Sequence, residues 1–165
     1  MDTKSLKHKS GFTLIELLVV IAIISLLASI VLASLNNARI KSRDVKRQGD
    51  LKQLQLALEL FFDSNGSYPN GCWNYYEKDG INYIPGLASS FIAQLPRDPL
   101  QGQSCPGGIG DNSNLRTYYY CSNGQEYKIN VCSESVIPLG SPWYDIFRPG
   151  YAWMVCSGEP ACSSF

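Results

Sequence analysis

The chain has a single histidine, His8, and none after it. That absence excludes His-based nucleophile triads and His-containing facial metal sites from everything beyond the first few residues. No glycine-rich phosphate loop follows a strand-like run, so nucleotide chemistry has no cradle. Cysteine is missing before Cys72, and no Cys-x2-Cys pair occurs among the six that follow. Charge of one sign is also missing overall: 14 Lys and Arg balance 14 Asp and Glu. The balance is a cancellation between two unlike halves, because residues 1–52 hold nine bases against four acids and the remainder five against ten. An acidic C-terminal part cannot neutralise phosphates, so nucleic-acid binding is not expected. With 165 residues, there is room for one compact domain and an appendage.

The largest gap in charge carries the first positive reading. From Phe12 to Leu35 the chain is apolar apart from Glu16, and Leu17 to Ala38 contains no charged residue. Twenty-odd helical residues at about 1.5 Å each span a bilayer core of about 30 Å. The run exceeds the apolar stretch of a cleaved secretory signal, although Val31-Leu32-Ala33 would pass as a weak cleavage site of that kind. Lys4, Lys7 and Lys9 precede it, a cationic flank that stays in the cytoplasm and sends the rest of the chain outside. Arg39, Lys41, Arg43, Lys46 and Arg47 follow it and make that balance less one-sided.

Glu16 is an anomaly, since a carboxylate in such a run costs about 2.5–3.5 kcal/mol to insert and asks for a partner. No cation lies within a helical turn of it. A cut after Gly11 would create an amine on Phe12, four residues away, able to meet this carboxylate or that of a neighbouring subunit. The alternative is a glutamate drawn to the headgroups with no role.

Lys9-Ser10-Gly11-Phe12-Thr13-Leu14-Ile15-Glu16-Leu17-Leu18-Val19-Val20-Ile21 resembles the class III signal of type IV pilins and type II secretion pseudopilins. The resemblance implies a structural subunit, not an enzyme: a prepilin cleaved between Gly11 and Phe12 by a prepilin peptidase, N-methylated on Phe12, and recruited into a filament with the help of Glu16. It further implies a membrane-held precursor, single-pass with its C-terminus outside. Partners would then be membrane lipid, other pilin subunits in a helical homo-oligomer, and inner-membrane pilus or secretion machinery. Many members have Pro where this chain has Ala33 and Gly where it has Ser25, so a more continuous helix is expected here. Asp50-Leu51 to Ala57-Leu58, Asn65-Gly66-Ser67-Tyr68-Pro69 and Leu95-Pro96-Arg97-Asp98-Pro99 extend the likeness to about residue 100.

The expected fold class is α+β: a long N-terminal helix, its first half membrane-spanning, packed on a small antiparallel sheet in the pilin manner. Residues 1–11 form the leader, 12–65 the long helix and 66–165 a disulfide-bonded head with a loop region and three strands. A helix from Thr13 to Phe62 would be about 75 Å long. Its 3.6-residue period gathers Leu51, Leu54, Ala57, Leu58, Phe61 and Phe62 on one face, to be buried. Val45, Leu56 and Leu60 fall opposite, either as ordinary exposed leucines or as a stripe that packs on other helices in a filament. Asp63 to Pro69 ends the helix. Gly86 to Leu95 reads as a small helix stopped by Pro96.

Thr117–Ser122 and Gln125–Cys132, separated by Asn123-Gly124, read as a hairpin, and Tyr151–Cys156 as a third strand. Tyr118, Tyr119 and Tyr120 are sheet core and surface, with a conductive role as the remote alternative. Cys72, Cys105, Cys121, Cys132, Cys156 and Cys162 are disulfide candidates in an oxidising compartment. Cys156 with Cys162 would close a small terminal loop and Cys72 with Cys105 would staple the loop region, though sequence does not choose among pairings. Family members bind calcium in C-terminal loops, which makes Asp145 and Glu159 candidates; no dense run of oxygen ligands is present, and neither metal nor cofactor is expected. A surface pilus and a secretion pseudopilus both remain open. The alternative from another class is an uncleaved, signal-anchored membrane protein with an extracytoplasmic binding module.

Overall fold

A computed structural model describes residues 11–72, 80, 82–106, 114–148, 150–159 and 161–164. The basic leader with Lys4, Lys7, His8 and Lys9 lies outside the described residues. Helix α1 runs Leu14–Asn65, strands β1, β2 and β3 run Tyr118–Ser122, Tyr127–Cys132 and Ala152–Cys156, and a four-residue helix α2 spans Ala161–Ser164. The class is α+β, a long apolar helix and a three-stranded antiparallel sheet of order β1-β2-β3. By contacts the chain divides into two units, one ending at Arg39 and one from Ile40 onward.

In the first unit the apolar residues are exposed and an 18-residue window reaches mean hydropathy 2.9, long and apolar enough to cross a membrane. The helix continues through Ser25, whose hydroxyl turns back to donate to the Ile21 carbonyl at 2.7 Å, and through Ala33. Without Pro or Gly there, no backbone hydrogen bond has to be surrendered.

In the second unit Leu51, Leu54, Ala57 and Leu58 are buried, with Phe61 and Phe62 packed beside them. They meet one face of the sheet, formed by Tyr118, Tyr120, Tyr127, Ile129, Val131 and Trp153. The β1–β2 register pairs Tyr118 with Val131 and Ser122 with Tyr127, so alternate residues face α1. Burial of this apolar stripe, at about 25 cal/mol per Å2 of surface removed from water, is the main force holding helix to sheet. The opposite face carries Tyr119, Cys121, Cys132 and Ala152, and Cys105 packs on it. Helix α1 stops where Gly66, at φ +72°, donates its amide to the Phe62 carbonyl at 2.7 Å, the left-handed cap that a side chain would strain. Asn123 shapes the hairpin turn, its side-chain oxygen accepting from the amides of Gln125 and Glu126 at 2.9 Å each.

Both sheet margins are occupied. Gly71 and Ser122 exchange backbone hydrogen bonds of 3.0 and 2.8 Å at the end of β1. On the other side Tyr144 bridges Trp153, and the Met154 amide donates to the Trp143 carbonyl at 3.0 Å.

The helix expected over Gly86–Leu95 does not form. Gly86 and Ser89 both adopt positive φ, +75° and +66°, which no helical run accommodates, and the Ser89 amide donates to the Ile92 carbonyl at 2.8 Å instead. The segment is a set of turns that buries Leu87.

Candidate functional site

Gly11, Phe12 and Thr13 are non-helical and exposed, with Phe12 77% accessible. Thr13 caps the helix. Its amide and its hydroxyl both donate to Glu16 Oε2, at 2.8 and 2.7 Å, while the Glu16 amide donates to Thr13 Oγ1 at 3.3 Å. This reciprocal arrangement is a capping box, and Thr-x-x-Glu ahead of an apolar run is its sequence signature. The partners of Glu16 in this chain are thus neutral donors one turn away, where the sequence reading looked for a cation. The signal was readable in Thr13-Leu14-Ile15-Glu16.

Val45, Leu56 and Leu60 are exposed, Leu56 at 63% and Leu60 at 47%. They occupy the side of the second-unit helix that leaves Leu51, Leu54 and Leu58 to the core.

The six cysteines form three disulfides: Cys72–Cys121, Cys105–Cys132 and Cys156–Cys162. The pairing of Cys72 with Cys105 is corrected. The Gly71–Ser122 bridge sets Cys72 beside Cys121, with Cα atoms 4.2 Å apart, and Cys105 is left to reach Cys132 on the same face of the sheet. Asp145 is fully buried and already engaged, by Lys128 Nζ at 3.4 Å, by Arg148 Nη1 at 3.0 Å and by the Phe147 amide at 2.9 Å. Burial pushes the Lys128 ammonium below its usual range, opposed by the Asp145 charge. Glu159 accepts from the Ser163 hydroxyl at 2.6 Å. Among the described residues no group of three or more His, Cys, Asp or Glu is placed to hold a metal.

A buried ion network went unread in the sequence. Arg47, with no exposed surface, donates Nε and Nη2 to the two oxygens of Asp98 and Nη1 to both Asp44 and Glu134 at 2.8 Å. Burial alone would lower the Arg47 pKa, but hydrogen bonds and charge from Asp98, with Glu134 and Asp44, raise it further still. Arg43 is the main reason the Glu134 carboxyl is held down at about 2, Arg47 adding to it against the cost of burial. Asp44 also accepts from the amides of Glu134 and Ser135 at 3.0 and 2.9 Å, so its remaining lone pairs are used. Next to it Tyr118 donates its hydroxyl to Asp50 at 2.7 Å; burial, then the Asp50 charge, pushes the phenol well above its usual range. The network fastens α1 to the loop at Asp98 and to the segment after β2. Its centre is buried: Arg47 has no exposed surface, and Asp44 and Asp98 expose 4% each.

An exposed apolar helix opened by Gly-Phe-Thr-x-x-Glu, followed by a helix segment buried on a small antiparallel sheet, defines a pilin-type subunit. A family model described as the prokaryotic N-terminal methylation motif matches residues 6–32. The type II secretion system core protein G of Klebsiella michiganensis is 33% identical over 134 residues, which cover 77% of this chain and 83% of that protein. The protein of the same name from Aeromonas hydrophila is 38% identical over 101 residues, 56% of this chain and 68% of that one. The Vibrio cholerae counterpart is 29% identical over 130 residues, 74% and 87% respectively. No solved structure matches significantly. The chain belongs to the type IV pilin and pseudopilin family, alongside the core protein G subunits of type II secretion systems.

Proposed function

We propose that this chain is a prepilin-type structural subunit of a type II secretion pseudopilus. In this reading residues 1–11 are a cytoplasmic leader removed after Gly11, Phe12 becomes the methylated N-terminus, and residues 12–65 serve first as membrane anchor and then as filament core. Residues 66–165 are the head, outside the cytoplasmic membrane before assembly and in the envelope afterward. Subunits add by head-to-tail contacts that do not close on themselves, which makes a helical filament. Partners are the prepilin peptidase, further pilin-type subunits and the inner-membrane assembly machinery. No catalytic role is proposed.

The observation that carries the reading is the coincidence of the Gly11-Phe12-Thr13-x-x-Glu16 signal with the start of the exposed apolar helix. The names of the relatives favour secretion over a surface pilus. The test is the intact mass and N-terminal residue of the protein co-expressed with a prepilin peptidase. Loss of residues 1–11 and a methylated Phe12 are expected, and an uncut chain overturns the proposal.

A second reading, the uncleaved signal anchor, is favoured by one observation: the Thr13 cap gives Glu16 a local role that needs no cut. Glu16→Ala separates the two. An anchor tolerates it, whereas a pilin subunit is still processed but fails to enter filaments.

A further inference from the structure

Numbered along the chain, the six cysteines pair first with third, second with fourth, and fifth with sixth. Two of the three bonds are therefore crossed, closing separations of 49 and 27 residues. We propose that maturation of the head requires a thiol–disulfide isomerase in addition to a disulfide-bearing oxidant. The proposal rests on the reading above that the head is moved across the membrane after its anchor.

In that order of emergence Cys72 and Cys105 are outside before either native partner. Among the described residues no helix or strand lies between Asn65 and Tyr118. Loop closure over a few tens of residues differs little in entropic cost, by about 0.6 kcal/mol per doubling, and cannot enforce the longer native pairing. An oxidant that acts as thiols appear makes Cys72–Cys105 and then Cys121–Cys132. In each step two thiols give two hydrogens and their electrons to the oxidant's disulfide, which becomes a dithiol.

This product cannot reach the native sheet. In the hairpin Cys121 faces Lys128, and Cys132 lies four residues further along β2. At about 3.4 Å per residue that is about 14 Å, against a Cα–Cα reach of about 7 Å for a disulfide. The wrong bond thus forbids the register that buries Tyr118 and Ile129 against α1. With Cys156–Cys162 closed as well, all six sulfurs are spent and no internal thiol is left to rearrange the bonds.

An external thiolate resolves it without net redox change. It attacks Cys72, freeing the Cys105 thiolate; Cys105 attacks Cys132, freeing Cys121; Cys121 then attacks Cys72 and releases the isomerase thiolate. The exchange must precede folding, because Cys105, Cys121 and Cys132 are each no more than 1% exposed in the finished head.

The test is expression of the full chain in cells that carry the oxidant with and without a disulfide isomerase, followed by thiol blocking and mapping of linked peptides. Without the isomerase, Cys72–Cys105 and Cys121–Cys132 peptides should accumulate and native pairing should fall several-fold. The double variants Cys72→Ser/Cys121→Ser and Cys105→Ser/Cys132→Ser each leave only uncrossed pairs, and their pairing should no longer depend on the isomerase. Equal native pairing of the unaltered chain in both strains overturns the proposal while leaving the location of the head intact. Wholly reduced cysteines in both strains overturn the location of the head, and the proposal with it.

Discussion

Arg47 grips Asp98 through two parallel hydrogen bonds, Nε to Oδ2 at 2.8 Å and Nη2 to Oδ1 at 2.9 Å, with neither side chain accessible to solvent. A bidentate pair of this kind spans 51 residues of sequence and joins the helix to the loop behind Pro96. Removing the guanidinium takes away the one cation shared by Asp98, Asp44 and Glu134, of which Glu134 alone keeps its pair with Arg43. Arg47→Ala should cost about 3–5 kcal/mol, as for other broken buried pairs. Thermal unfolding of the full chain in detergent should then shift down by about 10 °C or more. Lys46→Ala serves as the contrast: its ion pair with Asp50 is half exposed on the lysine side and should be worth less than about 1 kcal/mol.

Acid should loosen the same joint over a defined range. The Glu134 carboxyl sits at about 2 in the folded protein, below its ordinary value of 4.5. A depressed folded pKa means that the stabilisation is fully present above the ordinary value and drains away as the pH falls from 4.5 toward 2. Melting temperature measured against pH should therefore drop across that interval. Glu134→Gln should lower the melting temperature at neutral pH and flatten the acid slope, and a slope unchanged by the substitution would count against the assignment.

The helix faces make opposite predictions for similar residues. Leu54 and Leu58 have no exposed surface, so Leu→Ala at either should cost about 2–5 kcal/mol. Leu56 and Leu60 touch solvent, and Leu56→Ser/Leu60→Ser should change head stability by no more than about 0.5 kcal/mol per site. If that stripe packs against other subunits, filament yield in a reconstituted assembly should collapse while the melting curve stays in place. Normal filaments from the double variant would leave the leucines as ordinary surface.

At the other end of α1, Thr13→Val removes the hydroxyl and keeps the shape. The helix start should lose about 1 kcal/mol. Hydrogen exchange in micelles reads this directly, with faster exchange of the amides of residues 14–17 and no change near Leu54. Glu16→Gln keeps an acceptor for the Thr13 amide and should leave exchange close to that of the unaltered chain.

The parts that were legible in the sequence are those written locally. The 3.6-residue spacing of Leu51, Leu54 and Leu58 names their shared face, and Asn123-Gly124 between aromatic runs names the hairpin. The Arg47 network was not legible because, beyond the local Asp44, its partners come from 51 and 87 residues away, and nothing in an isolated arginine says which distant carboxylates will converge on it. Cys156–Cys162, six residues apart, forms as expected, whereas the expected Cys72–Cys105 pair does not, for a related reason: Cys72 is steered to Cys121 by the backbone bridge at Gly71, a tertiary event. The helix expected at Gly86–Leu95 is excluded by positive φ at Gly86 and Ser89, and nothing in the identity of Ser89 announces that conformation. The Thr13 cap is fully local, written in Thr13-Leu14-Ile15-Glu16, and it meets with neutral donors the need for a partner that the charge of Glu16 poses.

A sheet with bare margins recruits strands from whatever lies beside it, and the hazard grows with local concentration. A filament holds its subunits at close quarters for long periods. Here the short chain segments at Gly71 and Trp143 lie along the outer strands and use up part of their hydrogen-bonding row. Heads of this design can crowd together without knitting into a common sheet, so that a fibre built from them stays divisible into subunits.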